Sequence, residues 1–353
     1  MWNPIEQMRQ RRARRQFVPR APRTTVGTTA KIAMVLLVLI VAAAAVLELR
    51  GGGTAERALL PYAQSAQVDP SELIATAGRR HRLVFLGDVA GASAPKELAA
   101  RAVETLAGGS GLDAVVVEIP ADEQPYLDRY FLTDPEDAAL LLSRPRAIRE
   151  AEGVARSYLD LYRTIWRVNQ ELGADAAIRV IAADLPQWPP DRALSPNRAG
   201  ELYGQRDAFM AARVDSLVLA RHSRARVLFF MDGLRTLRGG AALQTGGTGL
   251  VSITWLAEHM RTRFPRDVYG IIVDAPAQRA FAPSVVTYRS TGARDVFRAR
   301  PGDLPARFAL PVTDAFDPIG APVHVLATPG TTFSLQPGGE LRELTDAYVF
   351  LGN

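Results

Sequence analysis

Residues Leu83 to Pro120 read LVFLGDVAGASAPKELAARAVETLAGGSGLDAVVVEIP, and the rest of the chain is read outward from them. An apolar run stops at Asp88, a Gly/Ala/Ser loop leads into a helical pattern, and a second apolar run stops at Glu118. This is the pattern of a β-α-β unit, whose crossover makes the two strands parallel and puts both carboxyl ends on one edge. Asp88 and Glu118 are therefore expected close together, at the edge where open parallel sheets bind their ligands.

Outward from this unit, strands are expected at 82–87, 113–118, 178–183, 225–231, 268–274, 322–327 and 346–351, most of them separated by helical patterns. That alternation predicts an α/β fold, a mostly parallel sheet flanked by helices. Val154, Tyr158, Leu161, Ile165, Val168 and Leu172 follow helical spacing and stop at Gly173, as a scaffold helix with a glycine C-cap does. In a second helix Leu202, Met210, Val214 and Leu217 mark the apolar face, and Arg206 lies four residues from both Leu202 and Met210. An arginine on a buried stripe requires an anionic partner, here expected to be Asp88 or Glu118.

Five apolar strands end in an acid: LVFLGD at Asp88, AVVVE at Glu118, VIAAD at Asp184, LFFMD at Asp232 and GIIVD at Asp274. Parallel strands bring several of these to one edge, where crowded like charges raise some pKa values or recruit a cation. The bland alternative is that each acid merely ends a strand as the chain re-enters water, or caps the next helix. Three long connections follow strand ends and are expected around the edge as lids or as plain surface loops: 119–150, the proline-rich 185–198 and the glycine-rich 233–249. None of the four histidines (His81, His222, His259, His324) sits at a strand's carboxyl end, and no zinc spacing, Gly-x-Ser-x-Gly elbow or P-loop is present.

The chain has 353 residues, is 48% hydrophobic and 22% charged, and has no cysteine, which excludes disulfides, thiolate metal sites and thiol nucleophiles. Its net charge of +5 is a tail effect: residues 1–30 hold seven arginines against Glu6, leaving a body with 35 basic and 36 acidic residues. A near-neutral body carries no electrostatic footprint for nucleic acid. After the tail, Ile32 to Leu47 (IAMVLLVLIVAAAAVL) has no charge, and sixteen residues at about 1.5 Å each make a short membrane span that Lys31 can extend by snorkelling. The arginine-rich side is expected to stay cytoplasmic, which places the body outside. A cleaved signal peptide is the rival: Ala43-Ala44-Ala45 resembles a cleavage site and Arg14-Arg15-Gln16-Phe17-Val18 a twin-arginine signal. The expected organisation is a basic cytoplasmic tail at 1–30, a transmembrane signal anchor at 31–49, a linker at 50–70 and one α/β domain at 71–353.

The body resembles the erythromycin esterase-like families and their relatives, the haem-uptake ChaN and Tiki/TraB proteins. In that group a first strand ends in Gly-Glu with a histidine two or three residues on, and a second ends in glutamate; LVFLGDVAGA and AVVVEIP look like these, with Asp88 and Glu118 at the acidic positions. RDAFMAARV at 206–214 resembles the group's Arg-Asp-x-x-Met-Ala helix, and RARVLFFMDGLR, LVSITWLAEHMRTRFPRDVYGIIVD and ELTDAYVFLG follow in the group's order. The departures fall on the chemistry. Where the esterases carry histidine after Gly-Glu this chain has Val89, Ala90 and Gly91, and where they carry a His-Asn-x-His type motif it has Asp232, Gly233 and Leu234. The ChaN likeness implies haem, for which no histidine or cysteine lies at the expected edge.

Three readings follow. One is a catalytically degenerate member of the fold, anchored in a bacterial-type inner membrane, that binds a small-molecule ligand or a surface protein on the extracytoplasmic, periplasmic side. Another is a carboxylate- or metal-dependent hydrolase in which Asp88, Glu118 and Asp232 activate water or bind a divalent ion with Asp184, and Arg206 orients them or holds an anionic substrate. A third makes the body a spacer and gives function to the arginine tail at an anionic surface.

Overall fold

The computed structural model describes residues 55–89, 91–132, 152–188, 196–244, 250–276, 286–288, 292–299, 302–319, 324–328, 331–337 and 340–352. The tail at 1–30 and the apolar run Ile32–Leu47 lie outside these residues. Among the described residues no helix is long and apolar enough to cross a membrane.

A seven-stranded sheet forms the centre, from β1 (Leu83–Asp88), β2 (Ala114–Pro120), β3 (Arg179–Asp184), β4 (Val227–Asp232), β7 (Val268–Asp274), β9 (Arg307–Pro311) and β12 (Ala347–Leu351). Its order is β3-β2-β4-β1-β7-β12-β9, parallel throughout except where β9 pairs antiparallel with β12. The continuous apolar runs of β1 and β4 are explained by cover on both faces. On one face α2 (Pro70–Arg80), α3 (Ala94–Gly109), α4 (Gln124–Leu132) and α5 (Glu152–Leu172) pack over Val84, Leu86, Val115 and Val117. On the other, α6 (Pro196–Val214) and α7 (Leu256–Arg263) pack over Phe85, Val116 and Phe229, with Met210, Val214 and Met260 buried between. Phe85 and Phe229 stack with ring centroids 4.0 Å apart, fastening β1 to β4.

Three expectations are corrected here. First, β4 lies between β1 and β2, so Asp88 and Glu118 are not neighbours; their backbones stand roughly 10 Å apart, two strand spacings. The strand opposite Asp88 is β4, and its register partner is Asp232. A β-α-β unit fixes parallelism and not adjacency, because a later strand can be inserted. Second, residues 55–66, expected within a linker, form a helix, α1, whose Ala55, Leu59 and Ala63 are buried in one cluster with Phe308 and Tyr348, so the folded body begins by residue 55 and not at 71. Third, the glycine-rich connection contains β5 (Gly240–Gln244), which pairs with β6 (Leu250–Thr254) in a second, antiparallel sheet of five strands. That sheet also takes the expected strand near 322–327, as β10 (His324–Thr328), alongside β8 (Val286–Tyr288) and β11 (Thr331–Pro337).

The crossover after β1 runs over the α3 face and the connection from β4 to β7 returns through α7 on the opposite face. Adjacent strands whose connections leave in opposite directions make the crevice of a switch point, here between Asp88 and Asp232. Gly87 sets its width: a Cβ there would lie 3.3 Å from the Cα of Gly233 and 3.2 Å from the carbonyl oxygen of Ile271.

Candidate functional site

Each strand end delivers its acid to this edge, and the following segment decides what the acid does. Asp88 is followed by α3, whose first turn carries Lys96, fully buried, with Nζ 2.8 Å from Asp88 Oδ1 and donating to the Val89 carbonyl at 3.1 Å. From α5, Tyr158 donates its hydroxyl to Asp88 Oδ2 at 2.6 Å, and the Val89 amide donates to Oδ1 at 2.8 Å. Both oxygens of Asp88 are thus taken. Tyr158, read from the sequence as scaffold, is part of the site's wall.

Arg206 does find its anions, though not Asp88. Its Nε donates to Asp184 Oδ1 at 2.8 Å, and Nη2 reaches Asp184 Oδ2 at 2.5 Å and Glu118 Oε1 at 2.6 Å. Asp184 and Arg206 are both buried, so the pair is a desolvated, forked bridge whose rupture would strand a charge in the interior. Trp188 lies over the guanidinium at 4.1 Å, presented by a loop in which Gln187 adopts a left-handed φ of 58°. The proline-rich connection therefore does contribute to the site.

Glu118 is 18% exposed at its side chain; Oε1 accepts from Arg206 and Oε2 from the Asp232 amide at 3.1 Å. Asp232 itself is partly exposed and caps the short helical turn Gly233–Thr236, with Oδ1 accepting from the Leu234 amide at 2.9 Å. Among the described residues it makes no ion pair. Burial and then the charge of Glu118 push its carboxyl up to about 6, against the lowering influence of Arg235.

Two residues of the edge went unread in the sequence. Asp207, next to Arg206 on α6, is buried; its Oδ1 accepts from the Leu256 amide at 2.9 Å, and burial raises its pKa. Arg235 is 3% exposed, with Nη1 3.6 Å from Glu118 Oε1 and Nε 3.6 Å from Asp207 Oδ1. Burial and Arg206 pull its pKa down, but Glu118, Asp207 and Asp232 together hold it above the usual value. The signal available in the sequence was an arginine in the turn directly after the strand-end acid, in LFFMDGLR.

The expected metal set of Asp88, Glu118, Asp184 and Asp232 is not brought to one point. Lys96 occupies Asp88, and Arg206 occupies Asp184 and Glu118. Among the described residues no group of three or more histidines and acids is placed to hold a metal ion. Asp274, the fifth strand-end acid, is buried away from this network; it accepts from Tyr348 at 2.7 Å with Arg294 at 3.3 Å, and burial pushes it up to about 6. His81 stacks on Tyr269 and His222 sits 3.3 Å from Asp113, both remote from the edge.

No protein-family model and no curated protein sequence matches the chain. Among solved structures, a succinoglycan biosynthesis protein matches with a TM-score of 0.54 at 10% identity, covering 84% of this chain and 97% of that one. A Bacillus cereus protein matches with a TM-score of 0.50 at 11% identity, again over 84% and 97%. The likeness is one of fold. An erythromycin esterase mutant in its open conformation is also matched, at 12% identity and a TM-score of 0.48 over 80% of this chain and 93% of that one. At these identities the likeness shows the fold alone and carries no activity across. What this site can do has to come from its own side chains: three acids held by two buried cations, and one acid left open near a poorly matched arginine.

Proposed function

We propose that the chain is a hydrolase-type enzyme in which Asp232 accepts a proton from the attacking water and returns it to the leaving group. The observation that carries this reading is the open carboxylate of Asp232, without an ion pair among the described residues and partly exposed in the crevice between β1 and β4. A carboxyl pushed up to about 6 suits proton transfer near neutral pH better than an ordinary one. Glu118, fixed by Arg206 and bonded to the Asp232 amide, supplies the neighbouring negative charge that keeps the proton affinity high. A screen of carboxylic and phosphoric esters against the full chain tests the proposal, with Asp232→Asn beside it. Hydrolysis that rises through about pH 6 and is lost in the variant supports it; equal rates in parent and variant end it.

The second reading is a degenerate binding protein of the same fold. It is favoured by Val89, Ala90 and Gly91 after the first strand and by Asp232-Gly233-Leu234 after the fourth, neither of which holds a histidine. Under it the same crevice takes a small-molecule ligand or a surface protein without turnover.

The proposal includes a location: residues 31–49 anchor the chain in a bacterial-type inner membrane, with the arginine-rich tail cytoplasmic and the body extracytoplasmic. An alkaline phosphatase fused after residue 353 is expected to be active in cells, and an inactive fusion would reverse the topology.

A further inference from the structure

Arg235 is buried but poorly matched. Among the described residues its Nε and Nη2 have no hydrogen-bond partner, and its two acidic neighbours stand at 3.6 Å, in ion-pair range but too long for hydrogen bonds. Native interiors rarely leave such donors unspent, and each instance calls for an explanation. The bridge to Asp207 leaves donors over: it stands at 3.6 Å, and among the described residues Asp207 Oδ2 has no hydrogen-bond partner either. Nor is Arg235 the counter-ion that Glu118 requires, since Arg206 already holds the same Oε1 at 2.6 Å. Arg235 stands three residues past the cap Asp232, and its Nη1 corner faces Glu118, the part-exposed acid of the crevice.

We infer that Arg235, through its guanidinium, is the donor for a ligand oxygen that carries or acquires negative charge at this edge. The inference rests on the proposed role of Asp232 for its chemistry. As Asp232 takes a proton from water, the water oxygen bonds to the acyl carbon and the carbonyl π pair moves onto its oxygen, where Arg235 receives it. When that pair returns, the bond to the leaving oxygen breaks and this oxygen takes the proton back from Asp232. A preorganised cation in a dry site is worth far more to such an oxyanion than one in water.

The test uses the full chain with Arg235→Met, Arg235→Lys and Asp232→Asn, and inorganic phosphate as the oxyanion probe, followed by calorimetry and by amide shifts at 234–236. Phosphate is expected to bind the parent, to bind Asp232→Asn at least as tightly because a nearby negative charge is gone, and to lose at least tenfold in Arg235→Met. Arg235→Lys keeps the charge and loses the fork; it should weaken binding severalfold, and it carries the test if the methionine variant does not fold. Parent that binds no phosphate, or variants at position 235 that bind it as the parent does, overturn the inference. Hydrolysis of 4-nitrophenyl acetate separates the two claims: added guanidinium should restore at least tenfold of the rate lost in Arg235→Met and nothing in Asp232→Asn. An Asp232→Asn enzyme with parental rate removes the catalytic proposal while leaving the phosphate result to decide Arg235.

Discussion

Asp88 and Asp232 end adjacent parallel strands, in register with one another, and they have opposite fates. Asp88 is enclosed by Lys96, Tyr158 and the Val89 amide; Asp232 accepts from the Leu234 amide and otherwise faces the crevice. The sheet supplies the same position twice, so position alone does not make an acid functional. What separates the two is the segment that comes next: α3 sends a lysine back onto its acid, whereas the turn after β4 sends its arginine toward Glu118 and Asp207.

That contrast can be broken in graded steps. The largest effect is expected where closure is most complete, at the Arg206 bridge. Arg206→Leu leaves Asp184 charged in the interior and should cost about 3–5 kcal/mol in denaturant unfolding, much of it recovered by adding Asp184→Asn. No recovery in the double variant would show that packing, not charge, sets the loss. Lys96→Met should cost about 3 kcal/mol by uncovering Asp88, and Asp88→Asn in the same chain should return part of it. If Lys96→Met is neutral, Asp88 is as open as Asp232 and the contrast fails.

Asp232→Asn has the opposite sign. The Asp232 carboxyl titrates near 6 in the folded chain and near 3.8 unfolded, so its stabilising, protonated contribution is complete below pH 3.8 and is lost as pH rises through 6. The stability of the parent relative to the variant should fall by roughly 2–3 kcal/mol between pH 4 and 7. At neutral pH the variant is then at least as stable as the parent, and a difference that stays flat with pH would refute the assignment. The smallest effect belongs to Tyr158→Phe, which removes one hydrogen bond from a charged acceptor and should cost about 1.5–3 kcal/mol at most. Calorimetric melting of the variant checks it; an unchanged melting temperature would mean that Lys96 alone closes Asp88.

The parts of this site legible in the sequence are those written in local pattern. Acids closing apolar runs, together with Arg206 interrupting an apolar helix stripe, are enough to point to five members of the edge. The pairing of Arg206 with Asp184 was not legible, because it depends on strand order. The insertion of β4 between β1 and β2 is a long-range choice that no stretch of thirty residues records. Tyr158 was hidden for another reason: an aromatic at helical spacing carries the same pattern whether its hydroxyl is idle or bonded to Asp88. The second sheet escaped because Gly240–Gln244 shows neither alternation nor the β-branched residues that mark a strand.

The missing side chain at Gly87 has one more consequence. With Gly233 and the Ile271 carbonyl both within 3.3 Å of where its Cβ would stand, the gap between the two acidic strand ends is a dimension of the main chain. Side-chain substitutions elsewhere change what lines the crevice and leave its floor as the main chain sets it. Even an alanine at position 87 would act as a wedge, driving the turn that carries Asp232 and Arg235 away from Asp88, so that the smallest residue in the motif is the one that sets the gauge of the site.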